Sequence, residues 1–108
     1  MKEADVILTP IPQANGQLKD RPAIFLREMP PFQDALICGI STQLQQEVKG
    51  FDEIVGRQDP DFGLSGLVQD SLIRLGFLAV IPKHKILGII GSISKSRQNR
   101  LLKNLRDI

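Results

Sequence analysis

Short apolar runs, each stopped by proline, glycine or a polar loop, dominate the sequence and limit what it can fold into. Runs of this length that are rich in β-branched residues predict β-strands. The glycines of the last run also predict a bend or bulge. The predicted strands are Asp5–Thr9, Pro22–Leu26, Ala35–Ile40, Asp70–Leu75, Phe77–Ile81 and Leu87–Ile93, with a further short strand around Phe51–Val55.

One helix is predicted at the C-terminal end, from about Lys95 to Arg106, with Ser94 or Ser96 as its N-cap. Its apolar residues are spaced as on one helix face: Leu101, Leu102, Leu105 and Ile108. Many short strands followed by one terminal helix predict a mainly β fold, a curled antiparallel sheet or half-open barrel with a C-terminal helix.

Length and composition predict a single soluble domain over residues 1–108. No apolar run reaches the ~18 residues of a membrane span, and Met1–Asp5 lacks the pattern of a secretory signal, so we expect a cytoplasmic protein with no membrane contact. The chain has one cysteine, Cys38, and one histidine, His84, which excludes an internal disulfide and argues against structural zinc. We expect no metal and no cofactor.

The charges are distributed unevenly along the chain. Residues 1–82 carry 7 basic and 11 acidic side chains, whereas residues 83–108 carry 7 basic and 1 acidic. A basic end on an acidic body favours a polyanionic partner, either a nucleic acid or an acidic protein segment. The alternative is a solvated helix face, with cations near the helix C-terminus.

Arg21 precedes Pro22, whose ring holds the arginine extended at the start of a strand. A guanidinium fixed at the rim of a sheet suits phosphate binding or catalysis. The alternative is an exposed arginine beside a strand start.

The order of these segments resembles the MazF/PemK family of toxin endoribonucleases. The matching segments are Asp5–Leu8, Arg21–Leu26 with its Arg-Pro-Ala opening, Ile37–Gln43 with its Ile-Ser-Thr-Gln end, Asp70–Arg74, and Leu87–Ser94 followed by a helix. The resemblance covers nearly the whole chain.

The resemblance implies an SH3-like barrel of the MazF/CcdB type, a homodimer, and a metal-independent ribonuclease. Such an enzyme cuts single-stranded RNA, especially mRNA, at short sequences, and its expression arrests growth. The family also implies a cognate antitoxin whose acidic disordered tail covers the RNA site. Because the same fold elsewhere poisons DNA gyrase without cutting RNA, the alternative is a non-catalytic protein that binds an antitoxin or inhibits a protein target. A general nucleic-acid-binding barrel is a weaker third reading.

Site residues are carried over from the family by position. Arg21 is implied as the phosphate clamp, Ser41 as a ligand of a phosphoryl oxygen, and Arg74 as the second arginine. Part of the family has an aspartate two residues after that arginine as the base, but Gly76 stands there in this chain. The remaining candidates are Thr42, Asp20 and Asp70 as secondary groups, and Lys19, Gln43 and Asn15 as RNA contacts.

Overall fold

The computed structural model describes the whole chain, Met1–Ile108, as six strands and two α-helices. Two short 3₁₀ turns, Leu44–Gln46 and Lys83–Lys85, lie in the connections. The elements in chain order are β1 (Asp5–Pro12), β2 (Leu18–Met29), β3 (Asp34–Ser41), β4 (Glu53–Val55), α1 (Phe62–Ser65), β5 (Ser71–Ile81), β6 (Gly88–Ser92) and α2 (Lys95–Arg106).

All six strands form one antiparallel sheet in the order β4-β5-β3-β2-β1-β6. The sheet is curled, and the C-terminal helix packs against it. The predicted class, mainly β with a C-terminal helix, is therefore confirmed.

Three strands differ from the predicted runs by more than two residues at an end. β2 runs from Leu18 to Met29, well beyond the predicted Pro22–Leu26 on both sides. β1 continues through Pro10 and Pro12, because beyond Leu8 it pairs only with β2 and its other edge is free. Proline is tolerated on such an edge, since no ladder hydrogen bond is required there. The predicted runs 70–75 and 77–81 form a single strand, β5, interrupted by a bulge.

The two faces of the sheet carry separate cores. The first contains Ile24, Ile73 and Leu101 among its ten buried residues, and it is covered by α2. The second contains Ile7, Phe25 and Ile37, and Ile86 from the β5–β6 connection packs on it. Such burial of apolar side chains is the main driving force for folding.

Helix α2 has the predicted bounds. The Ser94 Oγ accepts a hydrogen bond from the Arg97 backbone N–H at 3.1 Å, so Ser94 is the N-cap. Leu101 is fully buried, whereas Ile108 lies beyond the helix and is 81% exposed, so it does not contribute to the helix face. No helix in the structure is long and apolar enough to cross a membrane.

The basic end of the chain is largely paired with the chain's own carboxylates. Five of its seven lysines and arginines form ion pairs. Arg97 is the most enclosed, because its side chain is buried and contacts Glu53, Asp59 and Asp61. Arg97 and Arg100 therefore hold α2 to the rest of the fold, whereas Lys103 and Arg106 are exposed and share one carboxylate, Asp107, so part of the positive charge remains available to a polyanion.

Cys38 lies in the first core and is fully buried. Burial raises the pKa of its thiol to about 12. The thiolate, which is the nucleophilic form, is therefore scarce at neutral pH, and Cys38 is a core residue.

Candidate functional site

A cleft of about 290 Å³ lies where the β1–β2 hairpin meets the C-terminal end of β3 and the middle of β5. It contains two arginines, two hydroxyl groups, two glutamines and one aromatic ring. The side chains and backbone that line it belong to Ile11, Pro12, Gln13, Ala14, Arg21, Gly39, Ile40, Ser41, Thr42, Gln43, Arg74 and Phe77.

Strand pairing brings the three predicted catalytic residues into this cleft. Ala23 of β2 pairs with Gly39 of β3, and Gly39 pairs with Arg74 of β5. Because side chains alternate along a strand, Arg21 lies on the same face as Ala23, and Ser41 on the same face as Gly39. Arg21, Ser41 and Arg74 therefore share one face of the sheet although they are up to 53 residues apart in sequence.

Neither cleft arginine forms an ion pair. Arg21 Nη2 donates a hydrogen bond to Gln13 Oε1 at 3.2 Å, a neutral partner that orients the guanidinium without cancelling its charge. No aspartate, glutamate or histidine lines the cleft. Two guanidinium groups without carboxylate partners give the cleft positive charge, and their planar donors match the geometry of phosphate oxygens.

The hydroxyl groups lie at the end of β3. Ser41 Oγ accepts a hydrogen bond from the Gln43 backbone N–H at 3.0 Å, which leaves its own proton available to donate. Thr42 follows it and also lines the cleft. Gln43 is held in part by its neighbour, because its Oε1 accepts from Gln45 Nε2 at 2.9 Å.

The other predicted residues lie outside the cleft lining. Lys19 and Asp20 are exposed on β2, where Lys19 shares the face of Arg21 and Asp20 points to the opposite face. Asn15 lies in the hairpin loop, and its Oδ1 accepts from the Gln17 N–H at 3.0 Å. Asp70 Oδ1 accepts from the Arg57 N–H at 2.8 Å, so Asp70 organises a turn away from Arg74.

Two cleft residues were not singled out from the sequence. Gln13 was only part of a polar loop, and its role as the partner of Arg21 depends on the hairpin register. Phe77 was assigned to an apolar run, where an aromatic residue usually indicates core. Gly76, an isolated glycine inside the apolar run, is the sequence signal that could have indicated the bulge that turns Phe77 toward the cleft.

Thr9 lies directly opposite Arg21 in the β1–β2 ladder. It is 1% exposed, and its hydroxyl has no hydrogen-bond partner. A buried polar group without a partner is uncommon and costs free energy, so the position opposite Arg21 in the ladder is not optimised for stability.

No protein-family profile matches this chain, and no curated protein shows significant similarity to it. Nor does the structure bring together three or more His, Cys, Asp or Glu side chains that could hold a metal ion.

Proposed function

We propose that this protein is a sequence-selective, metal-independent endoribonuclease of the MazF/PemK type, the toxin of a toxin–antitoxin pair. The observation that carries the proposal is a cleft in which Arg21 and Arg74, neither of them in an ion pair, accompany the hydroxyl of Ser41. An RNA phosphodiester is the polyanion whose geometry suits such a site.

In the proposed reaction, the 2′-hydroxyl oxygen of the substrate attacks the adjacent phosphorus and the bond from phosphorus to the 5′ oxygen breaks. The 2′-hydroxyl loses its proton and the 5′ oxygen gains one, giving a 2′,3′-cyclic phosphate and a 5′-hydroxyl. Arg21 and Arg74 neutralise the developing charge on the phosphoryl oxygens, and Ser41 donates a hydrogen bond to one of them. Each such donor typically contributes about 3 kcal/mol to transition-state stabilisation.

The cleft offers no side chain that commonly accepts a proton, because no carboxylate and no imidazole lines it. Hydroxide or a phosphoryl oxygen of the substrate would then take the proton from the 2′-hydroxyl. We expect the cleavage rate to rise continuously with pH from 6 to 9, without the descending limb that a catalytic acid produces. A bell-shaped profile would instead indicate that a titratable residue outside the cleft takes part in the reaction.

The deciding experiment incubates purified protein with a long single-stranded RNA in EDTA and maps the new ends. We expect discrete cuts with 5′-hydroxyl and cyclic-phosphate termini, and none with Arg21→Ala. Arg57→Ala is the matched control, because Arg57 is exposed and lies outside the cleft. Intact RNA with the wild-type protein would contradict the proposal.

The missing base also favours a second candidate: a non-catalytic protein of the same fold that binds an antitoxin or inhibits a protein target such as DNA gyrase. Expression in growing cells distinguishes the two. If the protein is a nuclease, growth arrest should disappear in cells that express Arg21→Ala. Equal arrest by wild type and variant, without RNA cleavage, supports inhibition of a protein target.

We propose that the acidic antitoxin segment, besides covering the RNA cleft, occupies a second, larger groove of about 1080 Å³ between the N-terminus, β2 and α2. Leu102 and Leu105 contribute apolar surface to it, and basic side chains outnumber acidic ones in its lining, with Lys2, Arg27, Lys103 and Arg106 against Glu3 and Glu28. Arg27→Glu should weaken binding of a purified antitoxin in a titration and leave RNA cleavage unchanged.

A second copy of the chain is the partner we propose for β6, which is an edge strand. Leu87, Ile89 and Ile90 on and beside it are 58%, 51% and 39% exposed. Light scattering at micromolar concentration should give the mass of a dimer, and Ile89→Lys should give a monomer. A wild-type monomer would contradict this part of the proposal.

A further inference from the structure

We infer that Phe77 forms a stacking platform for one unpaired nucleobase beside the phosphate site. The inference rests on the proposed function for the identity of the ligand. It adds a subsite that neither composition nor motif indicated, since the sequence has no tryptophan or tyrosine and only five phenylalanines.

A bulge in β5 places Phe77 in the cleft. Arg74 pairs with Gly39, and the next pair along the two strands is Leu78 with Cys38. Leu75, Gly76 and Phe77 therefore form an insertion in β5 and have no pairing partner in β3. Bulges of this kind redirect a side chain out of the regular alternation, and here Phe77 and Arg74 both reach the same cleft.

Asp52 anchors the bulge. Its Oδ1 accepts a hydrogen bond from the Leu75 backbone N–H at 3.0 Å, and its Oδ2 accepts from the Val48 N–H at 2.9 Å. Asp52 is only 8% exposed, and Leu75 is fully buried in the first core. The inserted residues are therefore held by a buried carboxylate and a core contact, so the backbone that carries Phe77 is held in place.

Gly39 allows the ring to lie close to the sheet. A Cβ atom at this position would be 3.0 Å from Phe77 Cδ1 and 3.3 Å from Cγ, which is tighter than ordinary van der Waals contact. The ring thus packs on one side against the bare backbone of β3. Phe77 is nevertheless 39% exposed, so part of its surface is open to the cleft.

The other four phenylalanines cannot take this role. Phe25 is buried, Phe51 and Phe62 pack against the first core, and Phe32 lies in the β2–β3 turn at the opposite end of the hairpin. Phe77 is therefore the one aromatic ring next to Arg21 and Arg74. In a nucleic acid each phosphate is one sugar away from a base, so a strand held by the arginines brings a base within reach of the ring. Base–aromatic stacking tolerates different bases and needs no hydrogen-bond partner.

The test uses a short single-stranded DNA that carries 2-aminopurine, whose fluorescence falls when the base stacks. DNA lacks the 2′-hydroxyl, so it remains intact whatever the nuclease activity. Three variants are compared with wild type: Phe77→Leu removes the ring, Gly39→Ala displaces it, and Phe32→Leu is the matched control. Circular dichroism melting of each variant establishes that it is folded.

We expect wild type and Phe32→Leu to quench 2-aminopurine at one position of the oligonucleotide. Phe77→Leu should lose the quenching and bind about tenfold more weakly. Gly39→Ala should reduce the quenching while Phe77 is still present, which a purely structural role of the ring would not produce.

The possible results separate this inference from the proposed function. Equal quenching by wild type and Phe77→Leu overturns the stacking platform even if RNA is cleaved. Quenching that depends on Phe77, in a protein that leaves RNA intact, supports the platform and overturns the nuclease. An absence of any oligonucleotide binding by the wild type overturns the platform, and RNA cleavage then decides the nuclease on its own.

Discussion

Arg97 and Asp61 form a bidentate ion pair that joins the first turn of α2 to the loop before α1. Arg97 Nε lies 2.9 Å from Asp61 Oδ2, and Arg97 Nη2 lies 3.1 Å from Asp61 Oδ1. The same guanidinium donates through Nη1 to Glu53 Oε1 and to the Ile54 carbonyl oxygen, both on β4. One side chain thus fixes the helix to an edge strand and to a loop.

Replacing this arginine should destabilise the protein strongly. Arg97→Leu leaves Asp61 buried without its partner, and we expect a loss of about 4 kcal/mol in the free energy of unfolding, measured in urea. Arg100→Leu is the matched control on the same helix, because Arg100 pairs with Glu53 but its side chain is 51% exposed. Its loss should stay below about 1 kcal/mol. Equal losses would show that the burial of Arg97 does not increase its contribution to the free energy of unfolding.

The stability should fall at acid pH through Asp61. Its hydrogen bond with Arg97 lowers the pKa of this carboxyl from 3.8 to about 2. A carboxyl with a lowered pKa in the folded state stabilises the fold above its unfolded pKa, and the contribution is lost as the pH falls from about 4 to about 2. Urea unfolding across this range should show a steeper decline for wild type than for Asp61→Asn. Parallel curves would contradict the assignment.

Two glycines of β6 should respond very differently to alanine. A Cβ on Gly91 would lie 2.3 Å from the Leu64 carbonyl oxygen, a backbone atom that cannot move aside cheaply, whereas a Cβ on Gly88 would meet nothing within 4 Å. We expect Gly91→Ala to cost about 3 kcal/mol of unfolding free energy. Gly88→Ala should be near neutral. A Gly91→Ala protein as stable as wild type would mean that α1 does not pack against β6 as described.

Thr9→Val should stabilise the protein. The substitution keeps the shape of the side chain and removes a buried hydroxyl without a partner, so we expect a gain of about 1 kcal/mol in thermal or urea unfolding. Thr42→Val is the control, since Thr42 is exposed and its hydroxyl is solvated. A loss of stability in Thr9→Val would indicate that the hydroxyl has a partner, such as an ordered water.

Arg21→Lys tests whether the geometry of the guanidinium matters beyond its charge. Lysine keeps the positive charge but lacks the planar pair of donors, so we expect the turnover rate on RNA to fall about 100-fold. The melting temperature should stay within a few degrees of wild type, because the Arg21 side chain makes only one hydrogen bond, to Gln13. Full activity in Arg21→Lys would show that charge alone is sufficient.

The sequence by itself determined the class of the fold. Local apolar runs and their proline and glycine boundaries were enough to predict the strands, and Ser94 with the leucine spacing was enough to predict α2 and its bounds. These features are local, because they depend on residues within a few positions of one another.

Only the tertiary structure showed which distant residues meet. That Arg21 and Arg74 share a cleft depends on the β2–β3–β5 register, and that Phe77 joins them depends on a bulge held by Asp52. The basic end of the chain likewise indicated a polyanion partner until Arg97 and Arg100 were found paired with carboxylates from β4 and the loop before α1. Strand register and ion pairing join residues that are tens of positions apart, and composition carries no information about those distances.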